Sequence, residues 1–130
     1  MYPLSFVLCL FFCLMVPQRQ DHYNSNERII NIECSETEFD FNCFSSSDKC
    51  AHTFVIKNIS RKDIVVQQVC TTCSCISVNW DKTIVHAGES TAITVTYYSP
   101  SYKGRFNKAI IVYISNMKRP FLLRIKGEAI

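Results

Sequence analysis

Cys50-Ala51-His52-Thr53-Phe54-Val55-Ile56-Lys57 alternates between two sets of side chains with a period of two. Extended backbone turns successive side chains to opposite faces, so Cys50, His52, Phe54 and Ile56 share one face and Ala51, Thr53, Val55 and Lys57 the other. β-Branched and aromatic residues fit such a pleated, half-buried surface. The run therefore reads as a strand with one face on a core. Upstream, Glu38-Phe39-Asp40-Phe41-Asn42-Cys43 alternates likewise and places Phe39, Phe41 and Cys43 together, and Arg28-Ile29-Ile30-Asn31-Ile32-Glu33 is a shorter apolar run. Downstream, Ile64 to Val69, Ser74 to Trp80, Thr91 to Tyr97, Phe106 to Ser115 and Pro120 to Gly127 are further extended pieces. Polar breaks separate them at Ser45-Ser46-Ser47-Asp48, Asn58 to Asp63, His86-Ala87-Gly88-Glu89 and Ser99 to Gly104. No stretch carries a helical period. Seven to eight strands with turns at regular spacing predict an all-β chain folded as an antiparallel β-sandwich.

The chain start has a different character. Leu4 to Val16 is an apolar core of signal-peptide length, shorter than the ~20 residues of a membrane span. Residues 1–20 are read as a signal peptide or N-terminal anchor, and 21–130 as a single β-sandwich domain. Cys13, preceded by Leu10-Phe11-Phe12, is a lipidation candidate, although Phe12 is bulky for the position before a modified cysteine. Cleavage or acylation alike would place the later thiols in an oxidising space, the periplasm or cell envelope.

Composition narrows the function classes. The chain has 14 Lys and Arg against 11 Asp and Glu, a net charge of +3, and no basic stripe with interleaved aromatics. Nucleic acid is therefore not an expected partner. Lys103, Arg105, Lys108, Lys118, Arg119, Arg124 and Lys126 fall on alternating strands and read first as a solvated face, with acidic glycans or lipid headgroups as the alternative contact. Catalysis finds no foothold: there is no Gly-x-Ser-x-Gly elbow, phosphate loop or His-Glu-x-x-His. A non-enzyme without a cofactor is the expectation.

Taken in order, several runs carry a family resemblance. These are His52 through Asn58, Val69 through Cys73-Ser74-Cys75, Ala87-Gly88-Glu89-Ser90 with Ile93-Thr94-Val95, Lys103 through Lys108, Ser115-Asn116 and Ile125-Lys126-Gly127. The pattern resembles the bacterial family called domain of unknown function 1573, immunoglobulin-like and related to the ASPM/SPD-2/hydin modules, and covers about Glu38 to Ile130. The resemblance implies an immunoglobulin-like sandwich on an exported or lipid-anchored protein, with no established biochemical activity. Two departures stand out. The family usually has Cys-Gly-Cys-Thr where this chain has Cys73-Ser74-Cys75-Ile76, and Phe-Gly where it has Phe41-Asn42. Asn tolerates positive φ better than most residues, so the second change is expected to preserve the backbone.

Cysteines are the remaining signal. Cys43 and Cys50 flank the Ser-rich turn on faces expected to converge, which leaves a Cys43–Cys50 disulfide and a pair of buried thiols both open. For Cys70, Cys73 and Cys75, the leading reading is structural, with Cys34 among the bridge candidates. Cys73 and Cys75 would point to the same side of an extended strand, so partners elsewhere are expected for each. The alternatives are Zn or Cu held by the three thiolates with His52 or His86 as a fourth ligand, and a thiol redox role. His52, on an apolar face, is read first as a core or hydrogen-bonded histidine, His86 as solvated, and Trp80 as core packing. The functional expectation is an exported interaction or scaffold module that docks an unidentified envelope protein or surface component, with a membrane tether available through the leader.

Overall fold

The computed structural model describes residues 31–130; the leader, Cys13 and the first part of the run beginning at Arg28 lie outside the described residues. Among the described residues eight strands are built from these runs: β1 (Ile32–Glu33), β2 (Glu38–Phe44), β3 (Cys50–Asn58), β4 (Val66–Thr71), β5 (Ile76–Trp80), β6 (Ser90–Tyr97), β7 (Gly104–Ile114) and β8 (Phe121–Ala129). Among the described residues there is no helix. The strands form two four-stranded sheets, ordered β1-β3-β6-β5 and β2-β8-β7-β4. One core lies between them. Phe54, Ile56, Ile93, Val95 and Tyr97 enter it from the first sheet, and Val66, Ile110, Val112, Leu123 and Ile125 from the second. Full burial of each such side chain contributes about 1.5–3 kcal/mol. Tyr97 stacks on Phe106 with ring centroids 4.0 Å apart, joining the sheets near one end of the sandwich.

The sandwich is not antiparallel throughout. β2 pairs with β8 in parallel. A strand that follows its partner through a short hairpin must run antiparallel to it, but β2 arrives by a crossover from the other sheet, where β1 pairs with β3, and the constraint does not apply.

A second correction concerns Cys43. Between the pairs Asp40↔Lys126 and Cys43↔Glu128, two residues of β2 oppose Gly127 alone. This is a bulge, with Asn42 at φ 58°, and it reverses the alternation from there on. Phe44 instead of Cys43 turns toward the core, and Cys43 is exposed. Gly127 admits the bulge because a Cβ there would lie 3.1 Å from Phe106 Cζ and Phe44 Cε1 and 3.2 Å from the Asn42 carbonyl oxygen. The expectation that Asn42 preserves a glycine-like backbone is met.

The opposite end holds a buried polar group. Asn58, fully buried, closes β3. Its Nδ2 donates to the carbonyls of Lys62 (2.7 Å) and Val85 (3.0 Å), and its Oδ1 accepts from the Ser60 amide (3.0 Å) and hydroxyl (2.6 Å). Its backbone amide donates to the Glu89 carbonyl and its carbonyl accepts from the Gly88 amide. Every hydrogen-bonding group of the residue is used, which removes the desolvation penalty of burying it. Trp80 is half-buried, and its indole N–H donates to the Val66 carbonyl (3.1 Å), tying edge strand β5 to edge strand β4.

Candidate functional site

Strand register gathers most of the cysteines. Thr71, the last residue of β4, pairs with Ile110; Ile76, the first of β5, pairs with Tyr97, which also pairs with Cys50 at the start of β3. Phe44, at the end of β2, and Gly104, at the start of β7, both pair with Ala129. Cys43, Cys50, Cys70, Cys73 and Cys75 thus lie at one end of the sandwich, and Cys34 is apart, after β1. Within that end their orientations differ. Cys50 is half-buried on the inward face of β3, Cys43 is turned out by the bulge, and Cys70 is on the outer face because its neighbour Val69 is buried.

Cys73 and Cys75 are bonded to each other, with Cα atoms 5.2 Å apart. The expectation of separate partners rested on an extended strand through this segment, and the strand is absent. β4 stops at Thr71. The chain then makes a turn in which the Ile76 amide donates to the Cys73 carbonyl (3.2 Å). The Cys73 amide donates to Thr71 Oγ1 (3.2 Å), and the Cys75 amide to Cys73 Sγ (3.4 Å). Tyr98 ties the turn to the end of β6 by donating its amide to the Cys75 carbonyl (2.9 Å). In a turn the side chains two apart converge instead of standing parallel. Among the described residues the non-glycine positions with positive φ are Asn42 and Asn116, so Ser74 occupies the family's glycine position without needing a left-handed backbone.

The other four described cysteines are free. The Cys43–Cys50 bridge does not form, because the bulge sends one thiol outward while the other faces the interior. The Cys34 thiol donates to the Glu36 carbonyl (3.0 Å). Burial is the main cause of a raised pKa at Cys34 and at Cys50, with Glu36 and Asp48 respectively adding carboxylate repulsion. Both are held as neutral thiols, poor nucleophiles and poor metal ligands. The Cys43 thiol donates to Glu128 Oε2 at 3.8 Å.

The histidines are elsewhere. His52 stacks on Phe39 (3.7 Å, 8°), meets Phe54 edge-on, and has Nε2 3.1 Å from Glu36 Oε2. His52 is half-buried at the margin of the core, and of the two readings the hydrogen-bonded one describes it. His86 Nδ1 lies 3.0 Å from Asp63 Oδ1, with its side chain 60 % exposed. Hydrogen bonding to Asp63 is the main cause of its raised pKa. His86 follows the far end of β5, and the cysteine turn precedes its near end. Neither histidine is therefore brought to Cys70, Cys73 and Cys75, and among the described residues no three His, Cys, Asp or Glu side chains come together as a metal site would require.

The two outer faces are unlike. Over β2, β8 and β7 lies an open groove of about 620 Å³ lined by Asp40, Cys43, Arg105, Asn107, Lys126 and Glu128 among others. Lys126 Nζ pairs with Glu38 at 2.7 Å and Arg105 Nε with Glu128 at 3.7 Å, and such exposed pairs are worth little each. The outer face of the other sheet carries Ala51, Thr53, Val55 and Lys57 of β3, Ser90, Ala92, Thr94 and Thr96 of β6, and Ser77 and Asn79 of β5. The charges are Lys57 and, opposite it on β1, Glu33. Thr53 and Thr94 are joined across the strands at 3.0 Å, and Val55 is 52 % exposed. Sequence reasoning placed Ala51, Thr53, Val55 and Lys57 on that face but not their neighbours, since the strand order is not written in any single run.

A family model described as "Protein of unknown function (DUF1573)" matches residues 32–129. Among solved structures, a protein of unknown function from Porphyromonas gingivalis aligns with TM-score 0.66 and 14% identity, over 76% of this chain and 46% of that one. This chain thus spans less than half the length of that protein. The ASH/PapD-like domain 7 of human CEP192 aligns with TM-score 0.64 and 9% identity, over 76% of this chain and 84% of that domain. The VesB protease of Vibrio cholerae aligns with TM-score 0.58 and 13% identity, over 82% of this chain and 33% of the protease. At such identities the likeness is one of fold alone. No curated protein matches the chain.

Proposed function

The chain belongs to the DUF1573 family, and from that premise we propose that it is an exported, non-catalytic, immunoglobulin-like module that docks a partner protein in the bacterial cell envelope. The observation that carries the reading is the outer face of the β1-β3-β6-β5 sheet. The charges of this face, Lys57 and its register partner Glu33 of β1, lie opposite each other at one end, and the other nine outward side chains of β3, β6 and β5 present hydroxyls, an amide and small apolar groups. The full chain is 19% charged. Depletion of charge, more than bulk hydrophobicity, marks the core of a protein interface. Sheet edges and end loops of such a sandwich are open to docking, and the apolar leader with the cysteine-bearing domain behind it supports export. VesB matches over a third of its length, so that likeness extends to one part of a larger enzyme.

The test is partner capture. Val55→Glu and Thr94→Lys each bury a charge in any complex formed on this face, whereas Arg124→Glu changes the charged face opposite. Cross-linking the tagged chain in intact cells and quantifying the captured proteins by mass spectrometry should show one partner lost, about tenfold or more, from the first two variants. It should be retained by the third. Loss from Arg124→Glu alone would move the interface to the other sheet and overturn the reading. Stoichiometric metal on protein purified anaerobically, removed by Cys73→Ser/Cys75→Ser, would replace it with the metal-handling alternative.

A further inference from the structure

We propose that the Cys73–Cys75 disulfide is a thiol–disulfide exchange site, opened by an incoming thiolate that attacks Cys75 Sγ and expels Cys73 as the leaving thiolate. This goes beyond docking and does not depend on it. Three features carry it. The bridge closes a loop with a single residue, Ser74, between its ends. Stabilisation by a disulfide grows with the length of the loop closed, so this one contributes little to folding.

The turn, moreover, is held without the sulfurs. The Ile76 amide on the Cys73 carbonyl, the Cys73 amide on Thr71 Oγ1 and the Tyr98 amide on the Cys75 carbonyl all persist when the S–S bond is broken. Reduction therefore leaves two thiols on an intact surface turn, placed to re-form the bond. Both cysteines are half-buried, with Ser74 between them exposed.

The third feature sets direction. The Cys75 amide points at Cys73 Sγ from 3.4 Å. A hydrogen bond to sulfur favours the charged form, so negative charge is better held on Cys73 than on Cys75, and the better-stabilised thiolate leaves faster. Attack by R–S⁻ forms R–S–S–Cys75 and releases Cys73–S⁻. If R carries a second thiol, its thiolate attacks the R sulfur of the mixed disulfide and releases Cys75–S⁻. Two electrons and two protons pass to the chain, and the dithiol leaves as a disulfide. Cys34 and Cys50, with raised thiol pKa values, take no part.

The experiment uses the full chain carrying Cys70→Ser, which removes the neighbouring thiol able to reshuffle the bridge. Native protein is mixed with reduced glutathione, quenched in acid and alkylated, and the adduct is located by fragmentation mass spectrometry. A parallel sample receives dithiothreitol, followed by circular dichroism. Glutathione on Cys75 in about tenfold excess over Cys73, with dithiothreitol opening the bridge and the β spectrum unchanged, is expected. A bridge that opens only in denaturant, an adduct equal on the two sulfurs or favouring Cys73, or a β spectrum lost on reduction would each overturn the proposal. Running the first arm with a reduced Cys-x-x-Cys protein in place of glutathione shows whether a small thiol or a protein dithiol is the faster donor.

Discussion

The two ends of the sandwich hold their loops by different means. At one end Asn58 reaches from β3 into two other loops and binds the carbonyls of Lys62 and Val85 from a fully buried position. At the other, the turn from β4 to β5 is tied by local hydrogen bonds and by a disulfide spanning one residue. The first arrangement is long-range and dry, and the second is local and partly wet. A buried polar network is costly to break because each lost partner strands another group in low dielectric, whereas a local turn has water to fall back on. Stability is thus concentrated at the Asn58 end, and the cysteine end is free to change its covalent state.

The sharpest test of that contrast is Asn58→Ala. It removes four buried or half-buried hydrogen bonds and strands the Ser60 amide, while the Val85 carbonyl keeps the Ile64 amide and the Lys62 carbonyl keeps the Ser60 hydroxyl, and a loss of about 3 kcal/mol is expected in urea unfolding. Asn58→Asp should be no better, since a carboxylate would face the Lys62 and Val85 carbonyls without a donor. Should either variant unfold at the wild-type midpoint, the Asn58 end is not the anchor. Next in size is Gly127→Ala, whose new methyl would meet Phe106 and Phe44 at 3.1 Å beneath the β2 bulge. Overpacking there should cost about 1–3 kcal/mol, and the loss should shrink when Phe44→Leu makes room.

Sequence legibility follows the same division. Alternation assigns the inward residues of β3 correctly because period two is a property of a single strand. It failed at Cys43, where the bulge depends on Gly127 of a partner strand eighty-odd positions away, although the Asn at position 42 was a usable sign of a left-handed backbone. Asn58 was read as the start of a turn, as polar residues after a strand usually are. Its partners are mostly backbone groups, which leave no trace in residue type. The Cys73–Cys75 bond is not legible in the sequence because the segment reads as extended. Thr71 and Thr72 look like strand residues, and only the hydrogen bonds of Cys73 and Ile76 reveal the turn. The parallel β2–β8 pair likewise has no signature within either strand.

The contrast sharpens further with Cys73→Ser/Cys75→Ser. A three-residue loop limits the chain-entropy contribution of its bridge to about 1.6 kcal/mol. A loss no greater than that, measured in the same urea assay as Asn58→Ala, is expected because the backbone bonds of the turn remain. A loss equal to that of Asn58→Ala would mean that the disulfide, too, is an anchor, and the two ends would no longer differ.

The smallest expected effect separates the inside of the Asn58 end from its surface. His86 and Asp63 are the residues next to Val85 and Lys62, so the exposed pair clasps the same two loops that Asn58 joins from within. Hydrogen bonding and charge attraction to Asp63 raise the His86 pKa above its ordinary 6.5 in the folded chain. A group whose folded pKa is raised stabilises the fold fully below its unfolded pKa, and the contribution fades as pH climbs through the folded one. Wild type should therefore lose a small increment of melting temperature relative to His86→Gln as pH rises from about 6 to 8, and the difference should diminish at 1 M salt. Parallel pH profiles for the two proteins would show that the surface clasp adds nothing and that the buried amide holds this end alone.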